Sequence, residues 1–557
     1  MVLIMDNKKL AEILFPDVTK TPEFYEEKFP YRKLPSKAQV TRMAPSPTGF
    51  IHLGNLYSAL ADERIAHRNG GVFFLRIEDT DEKRKVDGAV ETIINVLRYF
   101  DIEFDEGAGF PEDSENNAYG PYFQRQRVEI YHAYAKSLVE RGLAYPCFCS
   151  EDELNKVREE QEENKELTGY YGKYAVCRNL TMEQIEEKLK AGMPYVLRLR
   201  SQGSPDKEIV FKDSIKGDIK LPENIHDIVL LKKDGIPTYH FAHAIDDHLM
   251  RTTVVIRGGE WLASAPIHYE LFHILGFKMP AYAHTAHLMK FDEETGGKRK
   301  LSKRKDPELS LDYYRKDGYY PYCMKVYLMT LLNSNFEEWH EKFPDKNIDE
   351  FPFSVDKMSQ SGALFDKDKL HNICKNEMSN LSEDQMYEFL YQWAEENEPE
   401  KKDIWFADKE KMLGILRLYM GIGMKRRRKD FIYAKQIFSM IGYFFDMGEE
   451  ESDPFKLDKD IVVTVLNEYL NLYDHADDNS AWFNKLKEIA DKHGFASDMK
   501  AYKANPDQFK GNVSDIAEII RIAVTGRANT PDLWSIVHVM GEDQMRSKIA
   551  EAMKCIG

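Results

Sequence analysis

Between residues 39 and 78 the spacing of apolar positions changes period twice. "AQVTRMA" reads as a strand, "LGNLYSALADERIAHR" as a helix closed by Asn69-Gly70-Gly71, and "VFFLRIED" as the next strand. This is a βαβ unit. Helical spacing recurs over 87–100 and 121–141, and then "YPCFC" opens a different segment with a charged helix, "EDELNKVREEQEENKEL", and a strand, "YVLRLR". "DIVLLKKDGIPTYHF", with Asp234-Gly235 at its turn, predicts a hairpin that returns the chain to the strand "VVIRG" and a helix from Trp261. The α/β unit is therefore interrupted and resumed. Beyond about residue 320 amphipathic helical patterns run to the end without an internal repeat. Residues 1–38, a short helix ("KKLAEILF") and Pro-punctuated polar sequence, form an appended arm. The fold class is α/β followed by all-α.

Composition narrows the setting. A length of 557 residues implies several domains, and 43% apolar with 31% charged residues describes a folded, soluble chain. No apolar run approaches a bilayer span, and "MVLIM" is too short for a secretory h-region, so no membrane partner is expected. Six cysteines in this length are no disulfide framework, which favours a reducing, cytoplasmic location. A net charge of −17 disfavours a general nucleic-acid coat and gives no reason to expect DNA. Two basic islands stand out, "KRKLSKRK" (298–305) and "KRRRK" (425–429).

The first strand enters its helix through "RMAPSPTGFIHLGNL" (42–56). A strand-to-helix turn at the carboxyl edge of a parallel sheet is where α/β folds seat nucleotides, with helix N–H groups aimed at phosphate. Gly49 and Gly54 let a base or phosphate touch backbone, Pro45 and Pro47 stiffen the approach, and His52 with Asn55 donates to charge developing at phosphorus. Lys300 and Lys303, in a Lys-x-Ser-Lys loop between Gly296-Gly297 and Pro307, supply cations that close over a triphosphate. "KMSQS" (357–361) imitates that loop, but Gln360 brings no charge.

"HLGN" followed by "KLSKR", with "RMAPSPTG", "RIEDTD", "PTYHFAHAIDDH" and "VIRGGEW" in order, resembles class I aminoacyl-tRNA synthetases, and among them the bacterial glutamyl-tRNA synthetases, over roughly 39–557. The resemblance implies a Rossmann-type doubly wound catalytic domain in two halves (39–145 and 231–305), an inserted acceptor-end-binding subdomain (146–230), a tRNA stem-contact region (306–375) and a helical anticodon-binding half (376–557). It implies that Pro45, Ser46, Gly49, His52, Gly54, Asn55, Glu260, Leu301, Ser302 and Lys303 meet ATP, with His52, Asn55, Lys300 and Lys303 as the catalytic groups. Arg42, Ser46, Glu78, Tyr239, His243 and Arg257 would hold glutamate: guanidinium on carboxylate, Glu78 on the ammonium. His243 departs from relatives that carry asparagine.

The same resemblance implies glutamyl-adenylate formation from L-glutamate and ATP, with Mg2+ on the nucleotide, and then transfer to tRNA(Glu), with tRNA present before activation. Whether tRNA(Gln) is also charged stays open. So does zinc at Cys147, Cys149 and Cys177, weighed against three buried thiols, with Tyr171 or Tyr174 for a fourth ligand in place of a histidine that some relatives carry where Asn179 stands. Arg426, Arg427 and Arg428 beside Phe431 and Tyr433 are expected on an RNA-facing helix, and the enzyme is expected to be a monomer. Glutaminyl-tRNA synthetases share the catalytic architecture but typically end in β-barrels, where this tail reads as helix. A truncated paralogue that glutamylates a tRNA base would lack the helical half. A non-catalytic RNA-binding relative would have lost His52, Lys300 or Lys303.

Overall fold

The computed structural model describes residues 6–556 other than 49, 50, 85, 112, 293, 303, 361 and 448–451; Gly49 and Lys303 thus lie outside the described residues. The chain divides into two compact units, 1–313 with 325–366 and 314–324 with 367–557.

In the first unit, strands Val40–Met43, Val72–Leu75 and Glu106–Gly107 pair in parallel in that order. A second sheet runs in the order Gly217–Pro222, Glu208–Asp213, Ala281–Thr285, Val254–Gly258. The sheets meet where the Thr253 N–H donates to the Val40 carbonyl at 2.9 Å and the Val40 N–H donates to Thr253 Oγ1 at 2.8 Å. The chain winds away from Val40–Met43 in both directions, so this seam is a topological switch point, and a crevice opens outside the strands' carboxyl ends. Val40–Met43 is buried at every position, as a strand covered on both faces must be. Gly71 allows the return into Val72, since a Cβ there would lie 1.9 Å from the Gln39 carbonyl oxygen.

The helix Leu53–His67 starts at extended His52, whose N–H donates to Asn55 Oδ1 at 3.0 Å. It is buried almost all round. The insertion builds an antiparallel sheet from Ala144–Cys147, Val196–Leu199 and Val229–Leu231. Strands Glu208–Asp213 and Gly217–Pro222, although inside the span assigned to the insertion, extend the second sheet.

The expected hairpin over 227–241 forms only its turn. The Lys232 N–H donates to the Ile236 carbonyl at 2.9 Å, but the return arm is a single bridge, Leu231 to Pro237. Extended Thr238 then begins the helix Tyr239–Leu249, because Phe241, Ala242, Ile245 and Leu249 recur at helical rather than strand spacing and are buried together. The arm packs along the helix Val128–Glu140: Phe15 meets the His132 ring, and Lys136 Nζ donates to the Val18 carbonyl at 3.0 Å. Arg32 clamps Glu106 with both Nη groups, at 2.6 and 2.9 Å.

The second unit is built from helices, with one isolated bridge, Ala496 to Asn512, among its described residues. Trp393, Phe438 and Trp405 stack in its core, with ring centroids 5.6 and 3.8 Å apart. Among the described residues no helix is long and apolar enough to cross a membrane.

Candidate active site

The crevice at the switch point is a cavity of about 380 Å³. Of the residues singled out in the sequence, Arg42, Pro45, Ser46, His52, Gly54, Asn55, Glu78, Tyr239, Arg257, Glu260, Lys300 and Leu301 line it. They come from the ends of Val40–Met43, Val72–Leu75 and Val254–Gly258, the starts of two helices, and a hairpin. At Gly54 a Cβ would sit 3.0 Å from His52 Nδ1, so a side chain there would crowd the imidazole. Burial holds His52 below the usual 6.5; Glu260 opposes this and Lys300 adds to it, so the ring is a neutral donor near pH 7.

One side of the cavity rests on a buried ionic network that no single motif reveals. Asp247 accepts from Arg76 Nη1 at 2.7 Å and Arg42 Nε at 3.3 Å, and lies 2.9 Å from His243 Nδ1. Arg76 also reaches Glu78 Oε1 at 3.3 Å. Burial pushes Asp247 up, but Arg42, Arg76 and His243 outweigh it and hold the carboxylate well below its usual range. At Glu78 burial wins over Arg76 and Arg42, and the carboxyl is raised from 4.5 to about 7. Asp62 also lines the cavity, and burial raises it well above its usual range.

Arg257 is different. Its Nε donates to His284 Nε2 at 2.9 Å, its Nη1 lies 3.1 Å from His268 Nδ1 and 3.5 Å from the Tyr239 hydroxyl, and its Nη2 lies 3.5 Å from the Trp261 carbonyl. Among the described residues these partners are neutral: burial lowers His268 well below 6.5 and lowers His284 as well. A buried guanidinium that faces a cavity and has no carboxylate among these hydrogen-bond partners can receive an anionic ligand.

Two of the expected residues do not reach the cavity wall. His243 is fully buried behind Tyr239, stacked on its ring at 5.6 Å, with Nε2 2.9 Å from the Tyr282 hydroxyl. Burial takes it down to about 4, and it acts on the pocket through its neighbours Tyr239, Asp247, His268 and Tyr282. Ser302 is tied down instead, its N–H donating to Asp306 Oδ2 at 2.8 Å. The expected Lys-x-Ser-Lys loop begins as a strand, Lys298–Lys300, paired antiparallel with Leu288–Phe291. Asp306 is the physical reason for this order: it takes both Arg299 Nη groups at 2.5 and 2.7 Å as well as the Ser302 amide. In the imitation "KMSQS", Met358 is buried and Gln360 Nε2 donates to the Ile215 carbonyl at 2.8 Å.

In the insertion, Cys147, Cys149 and Cys177 place their sulfurs within 4.8 Å of one another. The phenol beside them belongs to Tyr170, not to Tyr171 or Tyr174. Its oxygen lies 3.4 Å from both Cys147 and Cys149 sulfurs and accepts the Cys177 N–H at 3.0 Å, whereas Tyr171 donates away to the Leu167 carbonyl at 2.7 Å. Zn–S bonds of about 2.3 Å set tetrahedral S–S edges near 3.8 Å. Cys149 and Cys177 are 3.6 Å apart, the length of such an edge, and with Cys147 within 4.8 Å of both the three sulfurs can converge on one ion.

In the second unit, Arg426, Arg427 and Arg428 lie in an irregular turn between helices Lys409–Met420 and Ala434–Ile441 rather than on a helix. Gly421, at φ 64°, ends the preceding helix. Arg428 pairs with Asp430 at 2.6 Å, while Arg426 and Arg427 are exposed. Phe431 is buried against Tyr419, with rings 5.8 Å apart, and offers no stacking face.

A doubly wound catalytic unit with its cavity at the switch point, joined to a helical unit, is the organisation of a class I tRNA synthetase. Residues 39–372 match the family model of tRNA synthetases class I (E and Q), catalytic domain, and residues 424–553 match that of an anticodon binding domain. The chain is 53% identical to a glutamate–tRNA ligase of Acetivibrio thermocellus over 98% of this chain and 99% of that one. It is 45% identical to a glutamate–tRNA ligase of Clostridium perfringens strain 13, over 98% of this chain and all of that one. A solved glutamate tRNA ligase of Elizabethkingia meningosepticum, in complex with its amino acid, superposes with a TM-score of 0.73 at 27% identity, covering 94% of this chain and all of that one. The chain belongs to the glutamate–tRNA ligase family of class I synthetases.

Proposed function

We propose that this chain ligates L-glutamate to tRNA(Glu) in two steps, using ATP with magnesium on its phosphates. The observation that carries the amino-acid assignment is Arg257, a buried guanidinium whose described partners are neutral, set across one cavity from the ionisable Glu78. Arg257 takes the γ-carboxylate, Glu78, oriented by Arg76, holds the ammonium end, and Arg42, Ser46 and Tyr239 complete the wall. The α-carboxylate attacks the α-phosphorus in line and pyrophosphate leaves. Neutral His52, Asn55 and the cations at 300 and 303 stabilise the charge that develops there, so positioning and electrostatics supply the rate, with no covalent nucleophile from the protein. The terminal ribose hydroxyl of tRNA then takes the glutamyl group and AMP is released.

Pro45, Gly49, Gly54, Glu260, Leu301 and Ser302 contribute to the nucleotide seat. His243 serves the glutamate pocket from behind, by fixing Tyr239. Zinc, held by Cys147, Cys149, Cys177 and Tyr170, would stiffen the insertion against the acceptor end and take no part in the chemistry. Exposed Arg426 and Arg427, with Arg428, meet the tRNA backbone or anticodon. The free cysteines agree with a cytoplasmic, reducing location, and the working state is a monomer, which sedimentation velocity tests.

Aminoacylation with labelled glutamate or glutamine on purified tRNA(Glu) and tRNA(Gln) tests the reading. Charging of tRNA(Glu) with glutamate is the expected result, and preference for glutamine would overturn it. The tRNA(Gln) arm shows whether one or two tRNAs are substrates.

A further inference from the structure

We infer that His284, locked in one tautomer by Asp213, is a positioning residue that aims the Arg257 guanidinium into the cavity and leaves its charge for a ligand carboxylate. The inference rests on the glutamate reading above and names the groups that set its specificity.

His284 stands directly beside Arg257 in the parallel pairing of Ala281–Thr285 with Val254–Gly258. Asp213, at the end of the neighbouring strand Glu208–Asp213, accepts the His284 backbone N–H at 3.0 Å and its Nδ1–H at 2.6 Å through one oxygen. Its other oxygen accepts the N–H groups of Ile215 at 3.0 Å and Lys216 at 2.8 Å. Burial pushes Asp213 up, and these hydrogen bonds outweigh it, so the carboxylate stays ionised and can only accept. The imidazole proton must then sit on Nδ1. Nε2 is left with a lone pair, and the 2.9 Å contact from Arg257 Nε needs that lone pair, because a guanidinium cannot accept.

The second imidazole follows the same logic. His268 Nδ1 accepts from Arg257 Nη1 at 3.1 Å, which puts its proton on Nε2, 2.9 Å from His240 Nδ1. Burial brings His240 down to about 4, in keeping with a neutral acceptor. The guanidinium, lying 4.8 Å over the Tyr282 ring, is thus oriented from two sides by uncharged acceptors. A carboxylate in either place would orient it equally well but would neutralise it, and the difference between a γ-carboxylate and a γ-amide would shrink. The negative charge is held one imidazole away, on Asp213, where it sets the tautomer without capping the cation.

The test separates hydrogen-bond acceptance from packing. His284→Phe keeps a ring between Phe211 and Tyr282, its present neighbours at 5.9 and 6.0 Å, but removes the acceptor. His284→Gln keeps an acceptor and loses the ring. In tRNA-dependent pyrophosphate exchange, His284→Phe is expected to raise the glutamate KM about tenfold or more, with kcat within about threefold and the ATP KM unchanged. The preference for glutamate over glutamine should fall by a comparable factor. His284→Gln should stay within about threefold of wild type in both. A His284→Phe enzyme equal to wild type, or a His284→Gln enzyme as impaired as His284→Phe, overturns the inference. Should His284→Phe not fold, Asp213→Asn is expected to raise the glutamate KM in the same direction, and an unchanged KM in that variant overturns it too. A wild type that charges no glutamate removes the functional reading and this inference together, whereas normal wild-type charging with an unaffected His284→Phe removes this inference alone.

Discussion

On the proposed reading, in which Glu78 holds the substrate ammonium, glutamate recognition depends on pH in a direction and window that the Glu78 carboxyl sets. Burial raises it from 4.5 to about 7, a disfavouring of the charged form by about 3 kcal/mol. An ammonium is held by the carboxylate and not by the acid, so binding and proton loss are coupled. Below pH 7 the apparent dissociation constant for glutamate should weaken about tenfold per pH unit, and it should level off above about pH 8. Near pH 7 calorimetry in buffers of different ionisation enthalpy should find about half a proton released per glutamate bound. Glu78→Gln, which keeps the shape and loses the charge, should weaken binding at pH 8 by about 10- to 150-fold and flatten the profile. His52 is held below 6.5 and His243 down to about 4, so neither should mimic the effect between pH 7 and 8. The reverse holds for stability: because the folded value lies above the unfolded one, the fold loses up to about 3 kcal/mol from this group as pH rises from 4.5 through 7. A wild-type profile that is flat from pH 6 to 8, or a slope that persists in Glu78→Gln, would refute the reasoning.

Asp247→Ala leaves Arg42 and Arg76 short of their shared buried carboxylate and should destabilise the catalytic unit by about 3–5 kcal/mol in urea; a loss below about 1 kcal/mol would contradict the network. Purified protein should contain one zinc per chain by elemental analysis. Cys177→Ser should abolish it and Tyr170→Phe should lower its retention against a chelator, while metal-free wild type with full tRNA charging would remove both the site and its structural role.

The readable part of the site was the part that adjoining residues carry. Arg42, Pro45, His52 and Asn55 stand on one strand, its turn and the next helix, so one continuous stretch of chain brings them all to the cavity. Tyr170 was missed by one position because the strand-poor stretch around it has no period to show which phenol faces the sulfurs. The expected helix at Arg426–Arg428 failed for a local reason: Gly421, in the left-handed region, ends the preceding helix before the basic run begins. Asp213, His284 and Asp306 have no signal of their own, and Asp247, although inside "PTYHFAHAIDDH", has none that shows its partners. Asp247 acts by meeting Arg76 and Arg42, His284 by meeting Arg257, Asp306 by meeting Arg299, and Asp213 by fixing His284, at contacts that only the tertiary fold creates. Lone acids and histidines are common on any chain, and only the fold distinguishes those that orient a guanidinium from those that face water.

The most direct measurement is the ratio of kcat/KM for glutamate to that for glutamine in the wild type and in Arg257→Gln, with tRNA(Glu) present. The account predicts a strong wild-type preference for glutamate that collapses in the variant by about 100-fold or more, through loss of glutamate rather than gain of glutamine. An Arg257→Gln enzyme that keeps the wild-type ratio would show that this guanidinium does not read the substrate carboxylate.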